Sequence, residues 1–317
     1  MTRRVIVDTD TAGDDTQALL LACLTDRLDV EAVTVVAGNV PFEYEVENAK
    51  YTLSLADSED VPVYEGAREP LLKEWEYATY VHGEGGLGGE LFPDTGIESA
   101  DGFGPDEIAR RCRASPGELT LLCIGPLTNL ALAHAREPDL PDLVDEVWVM
   151  GGAVNCRGNV TPAAEYNIWV DPDAAKRVFD AFDLTLVDWG LCLEASVLDH
   201  ETVERVATVD TDLAEFFTTM SESVLEFTRD QQGLEGVTQP DSLAAALLAY
   251  PELREATGTY HVDVDEREGL TRGYTSVDVE GVTDGRARTT VIEAADAEGF
   301  HAVTMAMLEG GDPDAAF

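Results

Sequence analysis

Residues 5–22 read VIVDTDTAGDDTQALLLA, and this stretch decides the fold. Its first three residues are β-branched and predict a short buried strand. Gly13 supplies a bend, and from Asp14 onward the apolar residues recur at helical spacing. A strand that leads through a short turn into a helix is the opening unit of an α/β sheet. Such sheets bind ligands at the carboxyl ends of their strands, where this stretch concentrates its polar residues.

Four carboxylates crowd into this turn: Asp8, Asp10, Asp14 and Asp15. Close carboxylates raise one another's pKa and lose solvation unless a cation neutralises them. A hard divalent cation, Ca²⁺ or Mg²⁺, is the natural partner because it takes oxygen ligands. Asp14 and Asp15 could instead only cap the helix and complement its dipole. That alternative accounts for one carboxylate more easily than for four.

The charge of the chain excludes one class of function. Its 317 residues include 63 acidic and only 20 basic ones, which gives a formal net charge of −43. Binding of nucleic acid through a basic face is therefore excluded. Such acidity is typical of proteins from a high-salt (halophilic) cytoplasm, where screening relieves self-repulsion. It predicts that low salt destabilises the protein.

The cysteines and the apolar runs indicate a cytoplasmic protein. The five cysteines are odd in number and form no C-x-x-C pair. This suits a reducing compartment, with neither structural disulfides nor a thiolate zinc site. Because the N-terminus leads directly into a predicted strand and no apolar run is of membrane-spanning length, we expect neither a signal peptide nor a membrane span. We therefore expect no membrane partner.

Strand and helix patterns alternate over the first two-thirds of the chain, which predicts βαβ units and a mainly parallel sheet. Predicted strands cover 5–7, 29–37, 61–64, 119–124, 144–150 and 184–187. Predicted helices include 43–55, 105–113, 201–228, 241–250 and 301–308. The strands expected at 261–265, 275–279 and 288–292 add antiparallel pairs near the C-terminus. Because no linker or internal repeat is visible, we expect a single domain over 1–317.

Residues 81–89, VHGEGGLGG, form a glycine-rich loop with one histidine. The loop lacks the strand and helix context of a dinucleotide-binding site. A flexible flap over a pocket is the better interpretation.

Together these motifs resemble the inosine–uridine-preferring nucleoside hydrolase family over nearly the whole chain. The first motif is Asp8-Thr9-Asp10 followed by Asp14-Asp15 and Ala18. The other motifs follow in family order: Gly38-Asn39, 82–87, 125–129, Met150-Gly151-Gly152, Asn159, 164–167, Asp171-Pro172, Asp241 and 270–273. The resemblance implies an open, mainly parallel, Rossmann-like sheet with flanking helices.

The family resemblance also implies an activity and a cofactor. The expected reaction is Ca²⁺-dependent hydrolysis of the N-glycosidic bond of ribonucleosides by a metal-activated water, through an oxocarbenium-like state. The products are free base and ribose. A small nucleoside is then the partner molecule, and the family is usually dimeric or tetrameric, so a homo-oligomer is expected.

Residue roles follow by motif from the same resemblance. The implied metal ligands are the carboxylates of Asp10, Asp15 and Asp241 and the backbone carbonyl of Ile124. Asp10 resembles the general base, and the implied catalytic set is Asp10, Asp14 and Asn39. The implied substrate-binding residues are Asp14, Asn39, His82, Met150, Asn159, Glu165, Tyr166, Asn167 and Asp241. Of these, His82 and Tyr166 are expected near the base.

The chain departs from the family pattern at two places. Thr11-Ala12 stands where the family usually has Pro-Gly, which changes only the turn. Pro240 stands where many purine-active members carry a histidine associated with protonation of the leaving base. Proline cannot donate a proton, so the base preference stays open and a modified riboside is an alternative substrate.

Two alternatives to a nucleoside hydrolase remain at this stage. The sequence Asp8-Thr9-Asp10 after an apolar strand also resembles the nucleophile motif of Mg²⁺-dependent phosphatases of the haloacid dehalogenase type. That reaction uses a lysine to bind the phosphate, and the only lysines of the chain are Lys50, Lys73 and Lys176. The second alternative is a non-catalytic ribose- or metal-binding protein on the same fold.

Overall fold

The computed structural model describes residues 2–89, 91–229 and 236–317. Within them the strands are β1 (Arg3–Thr9), β2 (Leu28–Val35), β3 (Val63–Glu65), β4 (Leu119–Cys123), β5 (Glu146–Met150), β6 (Leu184–Val187), β7 (Val197–Asp199), β8 (Gly236–Thr238), β9 (Arg254–Tyr260), β10 (Val262–Val264), β11 (Thr275–Val277) and β12 (Thr289–Ala295). Together they form one large sheet and two short strand pairs.

The helices alternate with these strands along the chain. They are α1 (Asp14–Leu24), α2 (Phe42–Leu55), α3 (Thr79–His82), α4 (Gly104–Ala114), α5 (Thr128–Arg136), α6 (Leu140–Leu143), α7 (Tyr166–Val170), α8 (Pro172–Ala181), α9 (Trp189–Ala195), α10 (His200–Val206), α11 (Asp212–Phe227), α12 (Pro240–Ala249) and α13 (Ala297–Gly310). Among the described residues, no helix is long and apolar enough to cross a membrane.

The large sheet has eight strands in the order β3-β2-β1-β4-β5-β6-β12-β9. All neighbouring pairs are parallel except β12 and β9, which are antiparallel. The prediction of an open, mainly parallel sheet with antiparallel strands near the C-terminus is therefore confirmed. On β1, Val5 and Val7 point into one apolar core and Ile6 into the other. This alternation explains why helices cover both faces of the sheet.

Helices α1 and α12 pack against each other beside β1 and meet at the candidate site. Residues 240–249 of α12 are all buried, as expected for a helix that is apolar on every side. The packing brings together the N-termini of the two helices. One N-terminus carries Asp14 and Asp15, and the other carries Asp241.

Several predicted elements differ from those observed. The helix predicted over 201–228 is two helices, α10 and α11, because the Thr211 hydroxyl caps a new helix by accepting from Ala214 N at 3.1 Å. The strands predicted at 261–265 and 275–279 form a separate antiparallel hairpin, β10–β11. The edge strand β9 was not predicted, because most of its side chains are exposed and the segment lacks an apolar pattern.

The glycine-rich loop is hydrogen-bonded to the carboxylate turn and to α2. Gly13 N donates to Gly86 O at 2.8 Å, and the Asn48 side chain donates to Gly85 O at 2.8 Å. Leu87 is fully buried in the core. The loop is thus part of the wall beside the carboxylate turn, since its glycines let the two backbones approach closely.

Candidate active site

Three carboxylates meet where the two helix N-termini converge. Oxygens of Asp14, Asp15 and Asp241 lie within 4.8 Å of one another. The backbone N–H of Asp241 donates to Asp14 Oδ2 at 3.2 Å. The positive ends of the two helix dipoles offset only part of the accumulated negative charge.

Asp10 lies next to this cluster at the end of β1 and is completely buried. Neither of its carboxylate oxygens has a hydrogen-bond partner. Two glycines enclose the carboxylate: a Cβ at Gly38 would lie 2.0 Å from Oδ2, and one at Gly125 would lie 2.7 Å from Oδ1. Any side chain at either position would displace the Asp10 carboxylate.

Burial raises the pKa of three of these carboxyl groups, those of Asp10, Asp15 and Asp241. It raises the pKa of Asp15 to about 8, and the neighbouring Asp14 charge adds to the effect. The pKa values of Asp10 and Asp241 are also raised well above the ordinary range, first by burial and then by neighbouring carboxylates. One Asp241 oxygen, Oδ1, is unpartnered as well. A hard cation fits this oxygen-only set, because it would neutralise the charge and satisfy the unpartnered atoms.

Asn39, in the loop after β2, is hydrogen-bonded to the turn that carries Asp10 and Asp15. Its side-chain N–H₂ group donates to Asp15 Oδ2 at 3.3 Å and to the carbonyl of Asp10 at 3.4 Å. Buried Glu45 of α2 holds the loop that carries Asn39, because its Oε1 accepts from Gly38 N at 3.0 Å and from Val40 N at 3.1 Å. Sequence reasoning missed Glu45, since an acidic residue in a helix is ordinarily on the surface.

Helix α7 and its N-cap supply further polar side chains to the site. The carboxylate of Glu165 caps this helix, accepting from Asn167 N at 2.7 Å and Ile168 N at 3.2 Å. It also accepts from Gly152 N at 2.8 Å. The Asn167 side chain donates to the carbonyl of Ile124 at 2.9 Å, which links α7 to the end of β4. Burial raises the pKa of Glu165 to about 7.

The remaining predicted residues surround the entrance to this pocket. Asn159 Oδ1 accepts from Tyr166 N at 2.8 Å, and the Tyr166 hydroxyl donates to Gly38 O at 2.7 Å. Burial lowers the pKa of His82, whose Nδ1 has no partner. His82 packs against Gly13, where a Cβ would lie 2.3 Å from Nδ1.

These groups line one cleft that encloses about 820 Å³ of space, including its open mouth. A cleft of this size suits a small organic molecule. The predicted residues that line it are Asp14, Asn39, His82, Ile124, Met150, Asn159, Glu165, Tyr166, Asn167 and Asp241. Asp10 and Asp15 are buried and do not contribute to that lining.

Sequence reasoning missed one wall of the cleft. It is formed by residues that include Tyr80, Trp189, Phe227 and Gln239. The rings of Tyr80 and Phe227 lie 5.5 Å apart between their centroids. These residues come from distant segments without a shared motif, so no local signal could have grouped them. Among the described residues, no lysine or arginine lines the cleft.

Asp8 does not take part in this cleft. Its Oδ1 accepts from Thr34 Oγ1 and, at 2.7 Å, from Asn129 Nδ2. Asp8 is fully buried, and burial raises its pKa to about 7. This carboxylate therefore ties neighbouring strands together, which argues against the nucleophile of a phosphatase.

Comparison with known proteins agrees with this geometry. The family model described as inosine-uridine preferring nucleoside hydrolase matches residues 5–302. The pyrimidine-specific ribonucleoside hydrolase RihA of Photobacterium profundum is 35% identical over 302 residues, covering 95% of this chain and 96% of that protein. RihA of Shewanella woodyi is likewise 35% identical, with the same coverage.

Solved structures show the same relationship. A plant nucleoside hydrolase superposes with a TM-score of 0.91 at 29% identity, covering 98% of this chain and 100% of that chain. A purine-preferring ribonucleoside hydrolase from Gardnerella vaginalis superposes with a TM-score of 0.89 at 28% identity, with coverage of 97% and 98%. These similarities favour an N-glycosyl hydrolase over the phosphatase and binding-protein alternatives.

Proposed function

Because this chain belongs to the inosine-uridine preferring nucleoside hydrolase family, it hydrolyses ribonucleosides, and we propose that it does so with a bound Ca²⁺ ion. One observation supports the bound ion. Buried carboxylate oxygens of Asp10 and Asp241 have no hydrogen-bond partner, and they lie close to the carboxylates of Asp14 and Asp15. Burial of several carboxylates without a counter-ion is unfavourable, and Ca²⁺ accepts many oxygen ligands at once.

We propose that Asp10, Asp15 and Asp241 bind the ion through their carboxylates, together with the carbonyl of Ile124. The link between Asn167 and Ile124 O supports this set, because it fixes the carbonyl at the edge of the cleft. When bound, Ca²⁺ holds water and favours its ionisation.

The base that accepts the proton from the attacking water is Asp10 in this proposal. A carboxylate beside the proposed ion is suited to accept a proton from water that the ion holds. Its enclosure between Gly38 and Gly125 fixes its orientation. No hydrogen-bond donor of the protein occupies its oxygens, so the carboxylate can both contact the proposed ion and accept that proton.

We assign the ribose hydroxyls to the polar walls of the cleft. The residues that would hold them are Asp14, Asn39, Asn159, Glu165 and Asn167. Carboxylate and amide groups stabilise the positive charge that develops on the sugar when the base departs. Binding energy at the hydroxyls is then used at the reacting carbon. Met150, His82 and Tyr166 complete the substrate site.

We propose that pyrimidine ribonucleosides are the preferred substrates. Pro240 lines the cleft and has no proton to donate to a departing base. A departing purine is assisted by such protonation, so the absence of a proton donor at this position disfavours purines. The curated relatives at 35% identity, which are named pyrimidine-specific, support the same preference.

We further propose that the enzyme is a cytoplasmic homo-oligomer, a dimer or tetramer, from a cell of high internal salt. The oligomeric form follows from the family resemblance, and the habitat from the net charge of −43. Light scattering in buffers of high salt measures the first property directly.

Release of free ribose from purine and pyrimidine ribonucleosides, with and without a chelator, tests the proposed function. We expect release from uridine that stops on chelation and returns with Ca²⁺. Asp10→Asn should lower kcat by about 10³-fold or more. The control Asp29→Asn, at an exposed position at the start of β2, should retain wild-type kcat.

The Tm values of Asp10→Asn and Asp29→Asn show whether a loss of activity results from loss of the catalytic group or from unfolding. Asp10→Asn removes a buried charge, so its Tm in chelator should equal or exceed that of the wild type. Ribose release that resists exhaustive chelation would reject the metal, and an active Asp10→Asn variant would reject the base.

A further inference from the structure

We propose that Arg272 is a positioning residue that fixes α7 from outside the cleft and thereby orients the ribose-binding side chains of Glu165 and Asn167. The inference rests on the proposed function, because it assumes that α7 carries the ribose site. Arg272 belongs to the 270–273 motif, to which the reaction itself gives no role. Arg272 is not among the residues that line the cleft.

The hydrogen bonds of Arg272 converge on the C-terminal end of α7, and its Nη1 also pairs with the exposed Glu268 of its own loop at 3.6 Å. Its Nε donates to the carbonyl of Trp169 at 2.9 Å, and its Nη2 donates to the carbonyl of Val170 at 3.2 Å. The guanidinium also stacks on the Trp169 ring, 4.3 Å from its centroid. The side chain is only 8% exposed. A cation bound to the last carbonyls of a helix is favoured by the helix dipole.

Helix α7 needs such support because it is short. It has five residues, and an isolated helix of this length is unstable. The Glu165 carboxylate holds its N-terminal end, and Arg272 holds its C-terminal end. Between the two ends, Asn167 reaches the carbonyl of Ile124. A small rotation of α7 would therefore move both proposed ribose ligands together.

The loop that carries Arg272 is itself rigid. The Asp265 carboxylate accepts from the Thr271 hydroxyl at 2.7 Å, and the Asp265 carbonyl accepts from Gly273 N at 2.8 Å. Gly273 has a φ of +77°, and a Cβ there would lie 2.8 Å from the Cα of Trp169. The loop thus lies directly on α7. This gives the β10–β11 hairpin, which stands apart from the main sheet, a role in the site.

Replacement of Arg272 tests the inference, with Arg267 of the same loop as the control. Arg267 is 80% exposed and pairs only within the loop, with Asp265. We expect Arg272→Gln to raise the calorimetric Kd for free D-ribose and the KM for nucleoside by about tenfold. Its kcat should change less. Arg267→Gln should leave all three quantities within about twofold of wild type.

A purely structural role would instead reduce the folded fraction and leave the Kd of the folded protein unchanged. Arg272→Lys covers the case in which the glutamine variant does not fold. Lysine keeps the charge but cannot bind both carbonyls and stack as a planar fork does, so we expect an intermediate Kd. A folded Arg272→Gln or Arg272→Lys protein with wild-type ribose affinity would overturn the inference.

Amide hydrogen exchange distinguishes this failure from failure of the proposed function. We expect Arg272→Gln to speed exchange in peptides that cover 165–171, and Arg267→Gln to leave it unchanged. If the wild type hydrolyses no nucleoside, the proposed function fails. Unchanged exchange and unchanged ribose affinity in a folded, active Arg272→Gln enzyme would reject only the role of Arg272.

Discussion

Pro240 is the residue whose replacement should change substrate preference most directly. It lines the cleft at the first position of α12, immediately before Asp241. In Pro240→His an imidazole at this position can protonate a departing purine, and general acid catalysis contributes about 10²-fold or more. We expect the ratio of kcat/KM for inosine to that for uridine to rise at least about tenfold.

Steady-state kinetics on the two nucleosides measures this ratio. Pro251→His is the control, because Pro251 is exposed and begins a short 3₁₀ turn after α12. That control should leave the ratio unchanged. A Pro240→His enzyme that binds ribose normally but retains the wild-type ratio would show that position 240 does not govern the leaving group.

Glu165 should make stability depend on pH. Burial raises its pKa in the folded protein from 4.5 to about 7. Between these values the unfolded chain has lost a proton that the folded protein keeps, so this contribution to stability falls as pH rises. The full difference is about 3 kcal/mol. Glu165→Gln does not titrate and lacks this contribution.

Urea unfolding at a series of pH values, in chelator, isolates the contribution. The free energy of unfolding of the wild type minus that of Glu165→Gln should fall between about pH 4.5 and 7. Glutamine presents an N–H₂ group to backbone donors and so lowers the free energy of unfolding at every pH. Because it does not titrate, it adds no pH dependence. Parallel curves for the two proteins would contradict the raised pKa.

At the residue scale, the sequence predicts groups that share a local motif. Asp10, Asp14 and Asp15 lie in one turn, and their proximity follows from the strand–turn–helix pattern alone. Glu45 and Gln239 could not be found in this way, because burial and orientation depend on packing between distant segments. Arg272 was noticed only as part of a motif, and its contact with α7 is a tertiary feature.

At the scale of the elements, the loop between β2 and α2 can be tested by a single substitution, because the Glu45 side chain holds it in place. Glu45→Ala leaves the N–H groups of Gly38 and Val40 without their acceptor. An unpaired buried donor costs about 1–3 kcal/mol. We expect a lower free energy of unfolding and a lower kcat/KM, because the loop also carries Asn39.

Two variants of the same helix serve as controls. Glu45→Gln retains an acceptor oxygen for the two amides and should recover most of the lost stability and kcat/KM. Glu43→Gln changes an exposed residue of α2 that pairs with Arg68, so its stability should change by less than about 1 kcal/mol. If Glu45→Ala behaved like Glu43→Gln in urea unfolding, the loop would be held by other contacts.

The elements best predicted from sequence were those with long apolar runs. Strand β1, helix α1 and helix α12 each contain such a run, and most of their residues are buried. The break between α10 and α11 depends on a single threonine cap, and the exposed edge strand β9 depends on pairing with β12. Pattern alone does not encode those features, because each results from competition with a neighbouring segment.

At the scale of the whole molecule, charge should govern stability. With a net charge of −43, self-repulsion in the folded state is large and is screened by salt. We therefore expect Tm to rise steadily between about 0.1 and 2 M KCl at a fixed Ca²⁺ concentration. Differential scanning calorimetry measures this dependence.

A surface variant separates screening from other effects of salt. Glu255, Glu280 and Asp284 are exposed, and their replacement by glutamine or asparagine should raise Tm at low salt more than at high salt. A Tm that is independent of KCl, or an equal gain at both salt concentrations, would contradict the electrostatic explanation. The overall sheet could be predicted without this charge, because the fold depends on the apolar pattern.

The enclosure of Asp10 between Gly38 and Gly125 has an evolutionary consequence. A side chain at either glycine would displace the carboxylate, and at Gly125 it would also lie 2.9 Å from the backbone nitrogen of Asp10. We therefore expect these three residues to be retained or replaced together among relatives. The turn that carries Asp10 should accordingly vary less among relatives than the part of the cleft that includes Tyr80 and Phe227.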